Sequence, residues 1–485
     1  MDGALKYSVI IMLFLLSACA ESLQTNSNRS SQAKPLINAR ADTPVAGLPV
    51  RTWSSEFDLG VGLSSPEPNK PFEQIHFLKG SEDKVAFTSV NYQELSPQPL
   101  YKKAWLLQQN IAGWKALGEP AINLQANPQS YQMIELADKR ILAAWVDAGR
   151  LLYQMASNGV WQSPSVFRQQ VVRQWIFARP DGYTFFWTSI VNLHESLFFQ
   201  SFNLAGKALT PIIKTKIEHA TEVQLSYDGL GQWVASYPAI TAYGDPADPS
   251  LPGTTHYALT AQHLSHDGRS GFLAQIDLPF YYTGNQAVNI EWQTVLLNNG
   301  KFVVLLRDRS NYNYYMTQYD RSNPLVEWKP LAAQSAPGFF SAPACIAAHD
   351  YHVTVFWTEP DGLAQQHLHA AAWDSGLADW TLKQSLLTPL SPSIATILCR
   401  VNENAQVLVA VKAQTEGSNR VYAGEFQIGL GFTGELAEVF AWPSLSGSLH
   451  LQDIRISKTN TLSMILQRGA FHSTQPFSLL YFESN

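Results

Sequence analysis

The chain has 485 residues, of which 46% are apolar, 12% aromatic and only 15% charged. That composition supplies ample material for a core and excludes a disordered chain. A net charge of −6 with no Lys/Arg cluster removes the electrostatic footprint of nucleic-acid binding, so no nucleic-acid partner is expected.

At the N-terminus, Lys6 precedes an apolar run, Val9–Leu16, that is too short to span a bilayer as a helix. Leu16-Ser17-Ala18-Cys19 follows and resembles the lipobox of bacterial lipoproteins. The resemblance implies that residues 1–18 are a signal peptide, that Cys19 becomes the lipidated first residue, and that the partner of this end is a membrane. Ala20, rather than Asp, after the cysteine implies the outer membrane of the cell envelope. The alternative is an ordinary signal peptide that contains a cysteine. Residues 19–48 are rich in Ser, Asn, Gln and Ala without helical or strand periodicity, which reads as a tether. A poorly patterned first strand is the other reading of that stretch.

From residue 49 to 485 one unit recurs. In Arg140–Trp161 an apolar run, Ile141–Val146, meets a tight Asp147-Ala148-Gly149 turn. A second run, Leu151–Met155, then meets Ser157-Asn158-Gly159 before Trp161. Asn-Gly and Asp-x-Gly between apolar runs are hairpin chemistry, because such turns need residues that tolerate positive φ. The same second strand returns as KVAFTSVN at Lys84, RILAAWVD at Arg140, GYTFFWTS at Gly182 and GQWVASYP at Gly231. It returns again as KFVVLLRD at Lys301, HVTVFWTE at His352, QVLVAVKA at Gln406 and TLSMILQR at Thr461. Successive starts lie 56, 42, 49, 70, 51, 54 and 55 residues apart. A four-strand unit at this period is the signature of an all-β propeller, since a lone blade cannot cover its two apolar faces and a ring of blades covers all of them. The expectation is eight blades, with seven as the alternative if one unit is an insertion. A row of stacked sandwiches is the competing architecture. The last unit lacks a fourth strand, and Arg51–Gly60 is an orphan strand at the other end that would complete it.

The hairpins between third and fourth strands carry a family resemblance. MASNGVWQS, YDRSNPLVEWK, WDSGLADWT and Ser265-His266-Asp267-Gly268 are similar to degenerate Asp boxes of sialidase-like propellers. A sialidase-type activity would imply three arginines on one carboxylate, a Tyr–Glu nucleophile pair and an acidic Asp. Arg307, Arg309, Arg400 and Arg468 could supply the arginines, and Asp308 or Glu359 a carboxylate.

Loops joining second to third strands open on one face of a propeller, where ligand sites usually lie. One such loop, Pro238–His256, accounts for the interval of 70 and carries Tyr243, Asp245 and Asp248 among four prolines. It is either one wall of a site or a tolerated surface insertion. Arg307, Asp308 and Arg309 beside Tyr312, Tyr314 and Tyr315 pair charges with aromatic faces, as sugar recognition does, or form a rim ion-pair cluster. Glu359 and Arg468 share that strand-end register. His367 and His369 lie on one strand face without a third ligand near in sequence, so no metal is expected. No phosphate loop, metalloprotease or G-x-S-x-G motif occurs, and no cofactor or catalytic residue is assigned. Cys345 and Cys399 each lie seven residues before a second strand, in the same register of adjacent innermost strands. They are a disulfide stapling two blades or two buried thiols. The leading expectation is a non-catalytic, lipid-anchored propeller that binds a glycan or a protein. A sialidase-like hydrolase and a scaffold subunit of an envelope assembly are the rivals.

Overall fold

The computed structural model describes Trp53, Phe57–Asp58 and, with gaps, residues 72–484. The longer stretches outside the described residues are 59–71, 93–98, 118–129, 244–253, 284–289, 332–343, 361–365, 386–392 and 471–477. The chain forms an eight-bladed β-propeller of four-stranded antiparallel sheets. In blades 2, 4 and 7 an additional short segment pairs with the third strand. Among the described residues a 3-10 turn spans Ala220–Glu222 and Ser444 is also in 3-10 conformation, and none of their helices is long and apolar enough to cross a membrane.

Each second strand begins within one residue of the position that the spacing predicts. They are Lys84–Tyr92, Ile141–Asp147, Gly182–Val191 and Gln232–Tyr243 in blades 1 to 4. In blades 5 to 8 they are Phe302–Asp308, His352–Pro360, Gln406–Gln414 and Leu462–Ala470. These strands are legible as unbroken apolar runs because both of their faces meet a neighbouring blade. All seven residues of Phe302–Asp308 are buried, whereas the innermost strand Gln224–Tyr227 is half-buried throughout because one side of it borders the axis.

The core is a set of eight seams, one between each consecutive pair of blades. Alternation along a strand divides its side chains between two seams. In blade 5, Val303 and Leu305 pack toward blade 6 while Phe302, Val304 and Leu306 pack toward blade 4. The ring is closed by Phe77, Val85 and Phe87 of blade 1 against Ile465, Leu479 and Tyr481 of blade 8. In that last sheet, Phe57–Asp58 pairs antiparallel with Ser478–Glu483 as the outermost strand, and Trp53 bridges Ser484.

The hairpins use the chemistry that their sequences offer. Asn158 and Gly159 both have positive φ, 50° and 79°, as do Ala148 and Gly149 at 48° and 74°, the paired left-handed geometry of two-residue hairpin turns. In the degenerate box turns the acidic residue closes the loop. Asp374 Oδ1 accepts the Gly376 amide at 2.6 Å, and Asp320 Oδ1 accepts the Ser322 amide at 2.9 Å. The aromatic that follows enters a seam: Trp161 between blades 1 and 2, Trp380 edge-on to Trp373 between blades 5 and 6.

The turn between first and second strands in blade 1 predicts an acid limb. Burial alone would raise the Asp83 carboxyl, but hydrogen bonds from Lys84, Ser81 and Gln108 outweigh it and pull the pKa down to about 2. A carboxylate depressed on folding contributes stability above its unfolded pKa and loses it as pH falls through the folded one. The contribution of Asp83 is therefore present above about pH 4 and lost between about pH 4 and 2. Asp83→Asn is expected to flatten that part of a melting-temperature profile. A profile that keeps its slope below pH 4 would sink the assignment.

Candidate functional site

Because strands alternate in direction, the turns from first to second strand and from third to fourth strand all end on one face of the ring. On that face the axis widens into a cavity of about 1590 Å³. Blades 1, 2, 6, 7 and 8 supply most of its wall, including Lys79, Asn158, Trp161, His349, Arg400 and Glu403. A second cavity of about 370 Å³, lined by Asp228, Leu296, Ala347 and Cys399, adjoins it along the innermost strands of blades 4 to 7.

The funnel interleaves charges of both signs, and most are paired. Glu135, whose side chain is wholly buried, accepts from Lys84 Nζ and Lys139 Nζ, each at 2.7 Å. Burial alone would lower the Lys84 pKa, but the hydrogen bonds to Glu135 and Asp83 raise it overall. Asp453 joins three blades: its carboxylate accepts Arg400 Nη2 at 2.9 Å from blade 7, and the Phe77 amide at 2.9 Å from blade 1. Lys458 meets Glu403 at 2.8 Å, and His349 Nε2 lies 2.9 Å from the Glu403 carbonyl oxygen. Lys79 makes no ion pair among the described residues. It is wetted by the funnel yet walled by protein, so desolvation and then the nearby Arg400 guanidinium lower its pKa, with Asp453 partly opposing them.

The residues singled out from sequence lie mainly at the other end of the strands. Arg307 donates to Glu291 at 3.1 Å and its guanidinium lies 5.5 Å from the Tyr314 ring centroid, while Arg309 pairs with the same carboxylate. Partial burial would raise the Glu291 pKa, but Arg309 and Arg307 together hold it below the ordinary value. Across the seam in blade 6, Glu359 accepts the Trp357 indole N–H at 2.8 Å and lies 3.8 Å from His369 Nε2, whose ring stacks on Trp357. By the two-residue period, Arg307 and Glu359 both face this seam, whereas Asp308, buried, faces the opposite one toward blade 4. Arg307 and Arg309 thus share the Glu291 carboxylate, while the strand period turns Asp308 to the other side of the sheet.

The four arginines do not surround one carboxylate. Arg400 is held by Asp453 beside the turn to the second strand, at the strand end opposite Arg307 and Arg309. Arg468 lies over the Trp442 ring, 4.7 Å from its centroid, in blade 8. Tyr243 is the last described residue of its strand, paired with Thr255, and its side chain, with Asp245, Asp248 and Tyr312, lies outside the described residues. Cys19 lies outside them as well. Among the described residues no group of three His, Cys, Asp or Glu side chains could hold a metal. Cys345 and Cys399 are joined by a disulfide, with Cα atoms 5.9 Å apart, linking the innermost strands of blades 6 and 7.

Sequence reasoning looked to the loops after the second strands and passed over the funnel. Its signal was present in the runs that end each first strand, GSEDK, ELADK, LNNG, AAHD, VNEN and SKTN, which supply much of the mouth. They read as punctuation because many of their polar groups do close turns. Asn402 Oδ1 accepts the Asn404 and Gln406 amides at 2.9 and 3.0 Å, for example.

No family model and no curated protein matches the chain. Among solved structures it is similar to the β-propeller domain of the Trilobed protease from Pyrococcus furiosus. That match has 9% identity and a TM-score of 0.39, covering 77% of this chain and 98% of that one. It is also similar to polysaccharide lyase Uly1, at 10% identity and TM-score 0.40, covering 86% and 90% of the two chains. A prolyl endopeptidase matches at 11% and TM-score 0.42, covering 82% of this chain and 55% of that one. At these values the likenesses carry no argument about activity. The fold stands on the chain's own topology: eight four-stranded blades in a ring, with a polar funnel at one end of the axis.

Proposed function

We propose that the protein is a lipid-anchored β-propeller of the cell envelope that binds a glycan, or a polar loop of a partner protein, at the funnel, without catalysis. The anchor is the lipid on Cys19 implied by the lipobox, and the compartment is the outer membrane. The observation that carries the binding reading is the cavity of about 1590 Å³, larger than the usual small-molecule pocket. Its wall carries both donors and acceptors, among them Lys79, Asn158, Glu403 and Asp453, together with Trp161. Such a wall favours neither a strong anion nor a strong cation, and suits a ligand whose hydroxyls both donate and accept. A sialidase-like hydrolase is the rival reading. The separation of Arg307 and Arg309 from Arg400 and Arg468 supports the binding module over it.

The test is a glycan array probed with the full chain, followed by titration of any hit against Lys79→Ala. Lys79 has no ion pair among the described residues to lose, so the fold should survive its truncation. Binding is expected to weaken about tenfold, equivalent to about 1.4 kcal/mol. Turnover of a fluorogenic sialoside, or unchanged affinity in Lys79→Ala, would count against the funnel as a non-catalytic site.

A further inference from the structure

Charge balances over the funnel wall as a whole but not at every point along it. Lys79, Lys84, Lys139, Arg400, Arg455 and Lys458 all line the cavity. Lys84 and Lys139 are held by Glu135, Arg400 by Asp453 and Lys458 by Glu403. Lys79 and Arg455 form no ion pair among the described residues. Both are organised about Phe77, at the seam that closes the ring. The Arg455 guanidinium carbon lies 4.4 Å from the Phe77 ring centroid. Its Nε and Nη1 are enclosed without an acceptor among the described residues, an expensive state for a cation. Burial disfavours the Arg455 charge, and Tyr481, Glu483 and Glu82 oppose that without an ion pair.

The Phe77 amide donates to Asp453 at 2.9 Å, and Lys79 follows two residues later. Lys79 is fixed by its backbone, whose carbonyl accepts the Glu135 amide at 3.0 Å. Its side chain lines the cavity, where desolvation and then the neighbouring Arg400 disfavour its charge. Asp453 and Arg455 lie two residues apart on the innermost strand Gly447–Ile456, so the strand period puts them on one side of the sheet. Three cations, from blades 1, 7 and 8, therefore gather about a single carboxylate. The donors still open indicate which anion fits. Both terminal nitrogens of Arg400 are engaged, Nη1 by the Cys399 carbonyl oxygen at 3.1 Å and Nη2 by Asp453 at 2.9 Å. The fork that reads a carboxylate through two parallel bonds is thus taken. The Lys79 ammonium, a compact point charge in a positive field, suits a phosphate. A dianionic phosphate monoester also offsets more of the positive excess than a carboxylate does.

We infer that the funnel wall at blades 7, 8 and 1 is a phosphate subsite, where Lys79, backed by Arg400 and Arg455, holds a phosphate monoester carried by the ligand. The inference rests on the glycan-binding reading above and narrows it to phosphorylated sugars. Asn158, Trp161 and the paired charges of the remaining wall are left for the hydroxyls and the ring face.

The test is isothermal titration of the full chain with glucose 6-phosphate, glucuronate, glucose and inorganic phosphate. It is run at fixed salt and about pH 7.5, where the ester is dianionic. Glucose 6-phosphate is expected to bind at least about tenfold tighter than glucuronate or glucose. Lys79→Met should reduce that preference to about twofold or less. Asp453→Asn keeps an oxygen for the Phe77 amide but removes the countercharge, so it should tighten glucose 6-phosphate by about threefold or more. If Asp453→Asn does not fold, Lys79→Met decides alone. Glucuronate or glucose binding as tightly as glucose 6-phosphate, or a preference unchanged in Lys79→Met, overturns the phosphate subsite and leaves the glycan-binding funnel standing. Weaker binding of glucose 6-phosphate by a folded Asp453→Asn chain, or no binding of any of these probes, overturns it as well. Inorganic phosphate bound as tightly as glucose 6-phosphate keeps the subsite and removes the sugar from the reading.

Discussion

Glu135→Ala is expected to destabilise the fold by about 3 kcal/mol, read as a lowered urea midpoint at unchanged slope. Glu135 is wholly enclosed at the seam of blades 1 and 2, and it holds two ammonium groups at 2.7 Å each. Lys139 is 76% exposed and loses little when its partner goes. Lys84, with 11% of its side chain exposed, cannot turn to water. Removing one half of a buried pair leaves an uncompensated charge and usually costs about 3–5 kcal/mol. The low end applies because Asp83 still reaches Lys84 Nζ at 2.9 Å. The pair itself is a weaker source of stability than its loss suggests, since desolvation opposes it. Lys84→Met combined with Glu135→Leu is therefore expected to recover most of the loss. A single variant within about 0.5 kcal/mol of the parent, the range of ordinary surface changes, would refute the burial argument.

Removing the Cys345–Cys399 link is expected to cost about 2–4 kcal/mol. The two sulfurs close a loop of 54 residues, nearly one whole blade, so the unfolded chain gains much freedom when the bond is lost. Cys345→Ala with Cys399→Ala is the suitable variant, because Cys399 is 2% exposed and a serine hydroxyl there would add a separate penalty. The parent protein unfolded in reductant should match the variant, and reductant should leave the variant unchanged. The seam of Ala347, Phe356 and Leu368 against Ile397, Val409 and Phe426 remains, so blades 6 and 7 should stay docked under native conditions. Equal midpoints with and without reductant in the parent would show that the link contributes nothing.

The architecture was legible because the second strands are the most enclosed part of each blade. Lys84, Gly182, His352 and Gln406 are found at the strand starts that spacing alone proposed. Strand period also divides neighbours in the chain: successive residues point to opposite faces, so Arg307 turns toward blade 6 and Asp308 toward blade 4. The funnel was illegible for a different reason. It is assembled from groups far apart in the chain, as where the Phe77 amide meets Asp453 across 376 residues. Nothing local marks Lys79, Arg400 and Asp453 as neighbours. Only the order of blades around the ring brings them together.

The seam of Phe77 and Phe87 with Leu479 and Tyr481 has a consequence for biogenesis. Until the eighth blade has formed, Phe77 and Phe87 of the first blade lack the surface meant to shield them. The folding chain therefore presents bare aromatic side chains until the ring closes. A holding chaperone with a preference for exposed phenylalanine would find its footing there.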